Sequence, residues 1–181
     1  MTQLLRISNF IDRLSRGVGH AAAWLSIVMI AVGTFNALAR YAGRFLGVDL
    51  SSNSFIEGQW YMFGALFLLG AAEALASDEH VRVDVLYTRF GARGRHLLNL
   101  AGGLVLLLPF CLLALTMAMP GLANSWSVLE QSPDPGGLPR YPIKTVVPIA
   151  FALLFLQGLS QCIKHSAALL GYAPAQEAQG D

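Results

Sequence analysis

Three long stretches of this sequence contain no charged residue, and they constrain the fold more than any other feature. Residues 17–39, 96–129 and 145–163 include no Asp, Glu, Lys or Arg, which gives uncharged runs of 23, 34 and 19 residues. A helix crosses a lipid core with about 20 mostly apolar residues, because each residue advances the helix by about 1.5 Å. Each run is therefore long enough to span a bilayer.

A fourth apolar run, residues 59–76, is interrupted only by Glu73. The composition agrees with a membrane protein, since 13% of the residues are charged, against about 25% in soluble domains. We therefore predict an all-α integral membrane protein that forms a single membrane domain over residues 1–181. Its four transmembrane helices are expected at about residues 20–42, 57–76, 97–119 and 145–168.

The positions of arginine and lysine predict the orientation of these helices. Eight of the twelve fall on the side that holds both chain termini, and four fall on the other side. Because cytoplasmic connections carry the excess of these residues, both termini are predicted in the cytoplasm. The connection 120–144 then lies outside, and four prolines and two glycines within residues 133–142 predict that it is rigid and rich in turns.

Amphipathic segments are predicted beside the spans. In the lead, residues 1–19, apolar side chains recur at helical spacing, which predicts a helix lying on the cytoplasmic leaflet. A second interfacial helix is predicted between Asp78 and Arg95, and the tail 173–181 is expected to be frayed.

Charged residues inside or beside spans are costly and need a reason. Arg40 and Glu57 lie at similar predicted depth on consecutive helices, so an ion pair is the first expectation. The alternatives are an arginine that extends towards the lipid headgroups and a role in transport. Glu73 lies near the cytoplasmic end, where Arg16, His20 or a group of another subunit is expected to reach it.

Small residues on the second span, including Gly70, allow close helix packing within the bundle or against a partner. Gln157 and Gln161 stand one turn apart and are expected to form hydrogen bonds between helices, with a role in substrate binding as the alternative. Cys111 and Cys162 have no metal-ligand spacing and are interpreted as packing residues rather than redox groups.

No motif of an enzyme or a cofactor site is present in the sequence. It contains no catalytic serine motif, metalloprotease motif or phosphate-binding glycine loop. The four histidines map to the cytoplasmic boundary, where chance placement at helix ends explains them better than a peripheral metal site. We expect no enzymatic activity, no cofactor, no metal and, with a net charge of +1, no nucleic-acid partner.

Several runs of residues together resemble the small membrane subunit, the DctQ-like or Q subunit, of tripartite ATP-independent periplasmic (TRAP) transporters. Residues 57–61 (EGQWY), 67–72 (FLLGAA) and 78–84 (DEHVRVD) follow the order and spacing of that family. Residues 36–41 (NALARY) resemble the end of its first helix. The loop 134–139 (DPGGLP) is similar to the branch often labelled for mannitol or chloroaromatic compounds.

The resemblance implies a division of labour in the bacterial inner membrane. A periplasmic binding protein delivers an organic acid or related solute, the large membrane subunit carries the substrate and the sodium ions by an elevator-like movement, and this chain would brace that subunit. Membrane lipid is a further expected partner, and bound structural lipids are possible.

The residues expected at contacts with these partners fall into three groups. The interface and ion-pair group is Arg40, Glu57, Trp60, Gly70 and Glu73. A cytoplasmic motif contains His80, Arg82 and Asp84. The periplasmic loop is expected to contact the binding protein through Trp126, Asp134, Arg140 and Tyr141.

Two other kinds of protein fit the hydropathy of this chain. A stand-alone small channel or transporter would need a polar path, and Glu73, Gln157 and Gln161 are too few to line one. A structural or sensory membrane protein is the other alternative, although it leaves the ordered motif from Glu57 to Asp84 unexplained.

Overall fold

The computed structural model describes residues 2–47, 51–79 and 90–172 of the chain. Within these ranges it consists of helices and their connections. The α-helices are α1 (Thr2–Leu46), α2 (Asn53–Ala76), α3 (Ala92–Gly102), α4 (Leu108–Ser127) and α5 (Tyr141–Leu169), and a π-helical stretch (Gly103–Leu107) joins α3 to α4.

Three predictions lie outside the described residues. They concern the cytoplasmic motif of His80, Arg82 and Asp84, most of the second interfacial helix, and the tail 173–181.

The four predicted spans are confirmed. α1, α2, the continuous unit of α3 and α4, and α5 are each long and apolar enough to cross a membrane, and the described part of the chain contains no β-strand. The bundle has two ends. One, the terminus end, brings Ser8 beside Ser160, and the other, the loop end, brings Asn53 beside Pro135. The first turns of α1 and the later turns of α5 therefore lie at one end, while the location of the chain termini in the cytoplasm stays a prediction.

The lead and the first span form one helix in the structure. α1 runs from Thr2 to Leu46 without a break, so no boundary exists at residue 19. The lead packs against α5 through Ser8, Asp12 and Ser15, which are buried. The predicted apolar face is mostly uncovered by the chain, since Ile7 is 52% exposed. Its expected contact with the cytoplasmic leaflet stays a prediction, and the sequence pattern did not indicate that a polar face of the same helix packs on α5.

α5 lies at the centre of the bundle and packs against the four other α-helices. Its buried residues are mostly small or polar: Pro148, Ala150, Gln157, Gly158, Ser160, Cys162 and Ala167. A Cβ added to Gly158 would lie 3.0 Å from Leu107, and one added to Gly103 would lie 2.7 Å from the sulfur of Cys162. Such close approach of backbones is a main source of helix association in lipid. Cys111 and Cys162 are unpaired and buried, in agreement with their expected packing role.

The connection between the last two spans is shorter than the predicted loop 120–144. α4 continues past Pro120 to Ser127, and α5 begins at Tyr141, which leaves residues 128–140 outside the helices. A proline removes one backbone donor from a helix. The helix can continue past Pro120 because its other backbone groups still form hydrogen bonds within it, which an apolar environment strongly favours.

Much of the apolar surface of the bundle is not covered by the chain itself. In the most apolar window of Ala92–Ser127 only 6% of the residues are buried, compared with 33% in α5. Val105 and Leu106 are 69% and 71% exposed, and Phe67 of α2 is 70% exposed. A surface of this kind is suited to lipid or to another membrane protein.

Candidate functional site

Glu57 is the most enclosed acidic side chain of the described residues, at 3% exposed. It follows the first turn of α2, a helix that begins at Asn53 after the N-cap residue Ser52. Its two carboxylate oxygens have separate donors. The hydroxyl of Ser132 donates to Oε1, and the backbone N–H of Leu138 donates to Oε2 at 2.6 Å. Glu57 thereby joins both halves of the 128–140 loop to α2.

Three neighbours of Glu57 on α2 hold the same loop through its carbonyl groups. Asn53 Nδ2 donates to the carbonyl of Pro135 at 3.0 Å, and the hydroxyl of Ser54 donates to the carbonyl of Gly136 at 2.5 Å. One turn after Glu57, the hydroxyl of Tyr61 donates to the carbonyl of Leu138 at 3.3 Å. The start of α2 therefore forms a platform, and the loop is folded onto it.

The two glycines of the loop are required by its geometry. Gly136 has a φ of +71°, a conformation that L side chains rarely adopt. A Cβ added to Gly137 would lie 2.5 Å from the Cβ of Ser132 and 2.7 Å from Oε2 of Glu57. A side chain at residue 137 would therefore displace the carboxylate from its donors.

A second carboxylate, Glu130, fixes the loop to the two flanking helices. Ser125 of α4 donates its hydroxyl to Glu130 at 2.6 Å, and Lys144 of α5 forms an ion pair with it. The contact with Lys144, with the hydrogen bond from Ser125, holds the pKa of Glu130 below its usual value of 4.5. The carboxylate is therefore ionised at neutral pH.

The four residues expected to contact a binding protein lie at this end of the molecule. Trp126 lies in the last turn of α4 and donates its indole N–H to Thr145 at 2.9 Å, and its ring lies 4.6 Å from that of Tyr141, the first residue of α5. Asp134 is exposed, whereas Arg140 uses its backbone N–H to bind the carbonyl of Glu130 at 2.8 Å. The structure brings these residues together around the loop, and their contact with another protein stays a prediction.

The expected ion pair between Arg40 and Glu57 is not formed. Both oxygens of Glu57 are used by the loop, and Arg40 is exposed. The register of α1 explains the difference, because the ring of Phe35 packs 5.4 Å from that of Phe55. Arg40 lies five residues beyond Phe35, towards the loop end. Glu57 lies two residues beyond Phe55, and because α2 runs antiparallel to α1, this step leads towards the terminus end. The two residues are therefore about 10 Å apart along the helix axes.

The other expected interface residues are all on α2. Glu73 packs on Gly19 of α1, where an added Cβ would lie 2.3 Å from the Cβ of Glu73. Its Oε1 accepts a hydrogen bond from Ser77 at 3.2 Å rather than pairing with Arg16 or His20. Trp60 is 61% exposed, and a Cβ added to Gly70 would meet nothing within 4 Å. Neither Trp60 nor Gly70 is used by the packing of this chain.

A buried polar cluster at the terminus end was missed by the sequence reasoning. Asp12 is 6% exposed and accepts hydrogen bonds from Gln157 at 2.9 Å and Ser160 at 2.7 Å. It also forms an ion pair with Lys164, and Ser15 donates to Gln157 at 2.8 Å. The helical spacing of Ser8, Asp12 and Ser15 was the available signal, since it places three polar side chains on one face.

The hydrogen bonds predicted for the two glutamines are confirmed. Gln157 binds Asp12 and Ser15, and Gln161 donates to the carbonyl of Leu75 in α2 at 2.9 Å. These contacts join α5 to α1 and α2, which gives both side chains a structural role.

A metal centre is not evident in the ranges that the structure describes. No three His, Cys, Asp or Glu side chains come together there in a way that could hold an ion. The closest approach of histidines is His96 Nδ1 to His165 Nδ1, at 3.1 Å between α3 and α5. The polar groups described above bind one another or the backbone.

Comparison with known proteins gave one family. Residues 29–167 match the family model described as "Tripartite ATP-independent periplasmic transporters, DctQ component". The match covers about three quarters of the chain and includes Glu57 and the whole 128–140 loop. No curated protein and no solved structure matches the chain.

Proposed function

Because this chain belongs to the DctQ family of components of tripartite ATP-independent periplasmic transporters, we propose that it is the small subunit that braces the large membrane subunit of such a transporter. Members of the family are inner-membrane transporter components, and four spans make this chain a multi-pass membrane protein. The family match is the observation that carries the proposal.

An uncovered stripe on α2 supports the bracing role. Trp60, Phe63 and Phe67 are 61%, 58% and 70% exposed, and Gly70 follows them with open space at its Cβ position. The spacing of three, four and three residues places these positions on one helix face. Aromatic side chains beside a glycine offer both a large contact area and a position where another helix can approach closely. We therefore propose that these four residues, the α2 stripe, contact the large subunit.

The rigid loop end supports a second contact, with the periplasmic binding protein. The 128–140 loop is tied to α2 by Glu57 and to α4 and α5 by Glu130, so it presents a fixed surface. A preformed surface loses little conformational entropy on binding, which favours docking. In this proposal the loop end faces the periplasm and both termini face the cytoplasm.

Solute and sodium ions are assigned to the large subunit rather than to this chain. The buried polar side chains at the two ends, such as Gln157 and Glu57, bind other side chains or the backbone in local contacts. Transport sites at the membrane midplane are usually built from broken helices in repeated halves, whereas α1, α2 and α5 are continuous. The proposed cargo is an organic acid or related solute.

Gly70→Leu is expected to weaken assembly while leaving the chain itself folded. The added side chain enters open space within this chain, but it would fill the site of close approach in the α2 stripe. We expect recovery of the large subunit with the tagged chain to fall by about tenfold. Quantitative mass spectrometry of the purified complex measures this recovery.

Gly17→Leu of α1 is the matched control, since Gly17 is also helical and also has open space at its Cβ position. Both substitutions increase helix propensity by a similar amount. A lower recovery of the large subunit with Gly70→Leu than with Gly17→Leu would therefore show that the α2 stripe lies in the interface. Equal recovery with both variants would remove the α2 stripe from the interface.

A further inference from the structure

A polar groove lies along the last turns of α1, at the loop end of the bundle. Its volume is about 370 Å³. The residues that line it are Gly33, Asn36, Ala37, Arg40, Tyr41 and Arg44. They recur every three or four residues and therefore share one face of the helix. The Glu57 platform does not use this face.

Asn36 is an unpartnered polar group in the lining of this groove. The residue is 6% exposed, and its Oδ1 atom is buried without any hydrogen-bond partner. A buried polar atom without a partner costs about 1–3 kcal/mol, so such atoms usually have a ligand or a partner in the functional state. The terminal torsion of asparagine is soft, and either end of its amide group can therefore turn towards the groove.

Two arginines stand one turn apart above Asn36. Arg40 and Arg44 are exposed, and the described residues place no carboxylate within ion-pair distance of either. Like charges four residues apart on a helix repel each other. An anion placed between the two guanidinium groups would remove this repulsion and accept charge-assisted hydrogen bonds from both.

The surroundings of the groove are those of a lipid headgroup region. Leu38, on the side of Arg40 nearer the membrane centre, is 63% exposed and offers an apolar surface to acyl chains, and Phe45 is 90% exposed at the end of α1. Tyr41 is 63% exposed and has the guanidinium of Arg44 5.9 Å from its ring centre. Tyrosine and arginine with apolar neighbours, at the end of a membrane span, are typical of the interface between lipid and water.

We propose that this groove binds the phosphodiester group of an anionic phospholipid. Arg40 and Arg44 donate hydrogen bonds to the phosphate oxygens. Asn36 donates its amide hydrogens to the same group or accepts a hydrogen bond from a headgroup hydroxyl, as phosphatidylglycerol would provide. The acyl chains run from the phosphate towards the membrane centre and pass Leu38. The proposal requires only that α1 spans the membrane, and it does not depend on the identity of the transported solute.

Native mass spectrometry of the purified full chain with phosphatidylglycerol tests this site. The wild type should retain one phosphatidylglycerol about tenfold more strongly than phosphatidylcholine, because only the first carries a net negative charge. The double variant Arg40→Gln/Arg44→Gln should lose this preference. Both side chains are exposed, so the substitutions leave the packing of the chain intact. Asn36→Asp, which keeps the shape but adds a negative charge, should also lose it.

The matched control is Arg13→Gln/Arg16→Gln, which removes two exposed arginines from the other half of α1. It should retain the tightly bound lipid. If both double variants lose the preference for phosphatidylglycerol equally, the preference arises from general charge attraction and the proposed site is wrong. If the wild type retains phosphatidylglycerol and phosphatidylcholine equally, the proposed site is also wrong. Displacement by excess inorganic phosphate would assign the groove to free phosphate instead of lipid.

A contact with the large subunit is the competing explanation for the two arginines. If Arg40→Gln/Arg44→Gln lowers recovery of that subunit while lipid retention is unchanged, the groove belongs to the protein interface and the proposal is wrong. We expect the reverse pattern, in which lipid retention falls.

Discussion

Asp12→Ala is expected to lower the free energy of unfolding by about 2 kcal/mol. Removal of one partner of a buried ion pair usually costs about 3–5 kcal/mol, and partial exposure of the other partner reduces that cost. Here Lys164 is 26% exposed at its side chain. The variant also deprives Gln157 and Ser160 of their acceptor. α1 and α5 would then separate at the terminus end.

Titration of the purified chain with a denaturing detergent in mixed micelles measures this loss. Arg13→Ala, which removes an exposed charge next to Asp12, is the control and should have little effect. The double variant Asp12→Ala/Lys164→Ala should be more stable than Asp12→Ala alone, because it leaves no unpaired ammonium group. A double variant that is as unstable as the sum of the two single variants would contradict the ion pair.

Glu57→Gln is expected to loosen the 128–140 loop on α2. A carboxylate accepts hydrogen bonds at both oxygens, whereas an amide has one acceptor and one donor. The variant can accept from the N–H of Leu138 only if its NH₂ group faces Ser132, whose hydroxyl must then accept instead of donate, and both contacts lose the strength that the charge of the carboxylate gives them. We expect amide hydrogens of the loop to exchange about tenfold faster, and mass spectrometry of peptides from residues 128–140 reports the change.

Glu73→Gln is the matched control for this prediction. It makes the same substitution on the same helix, about 24 Å away along the axis, where the side chain packs on Gly19. Exchange in the loop should stay at the wild-type rate in this variant. Unchanged exchange in Glu57→Gln would show that the carboxylate does not hold the loop.

The four spans could be predicted from the sequence because the cost of charge in lipid is large and local. The uncharged runs therefore located α1, the α3–α4 unit and α5 directly. The helix ends could not be predicted in the same way. α1 includes the charged lead, since Lys164 neutralises Asp12 at the contact with α5, and α4 includes Pro120 because the rest of the helix remains hydrogen-bonded.

The candidate site was predicted only in part, since its contacts join segments that are far apart in the chain. Glu57 could be identified as important from the sequence, but the partner predicted for it was Arg40, the cation at similar predicted depth on the preceding helix. Its observed partners, Ser132 and the backbone of Leu138, lie 75 and 81 residues away. One of them is a backbone group, for which no residue type gives a signal. The register between Phe35 and Phe55, which separates Arg40 from Glu57, depends on helix packing.

If this chain functions as one subunit of a larger membrane complex, it should be recovered with a partner. Native mass spectrometry of the tagged chain, extracted from the membranes in which it is expressed with its partner subunits, should detect a stoichiometric complex with a single larger multi-pass protein. Gly70→Leu should lower the amount of this complex, while Gly17→Leu preserves it. Recovery of the chain alone, in amounts that neither variant changes, would contradict its role as a subunit.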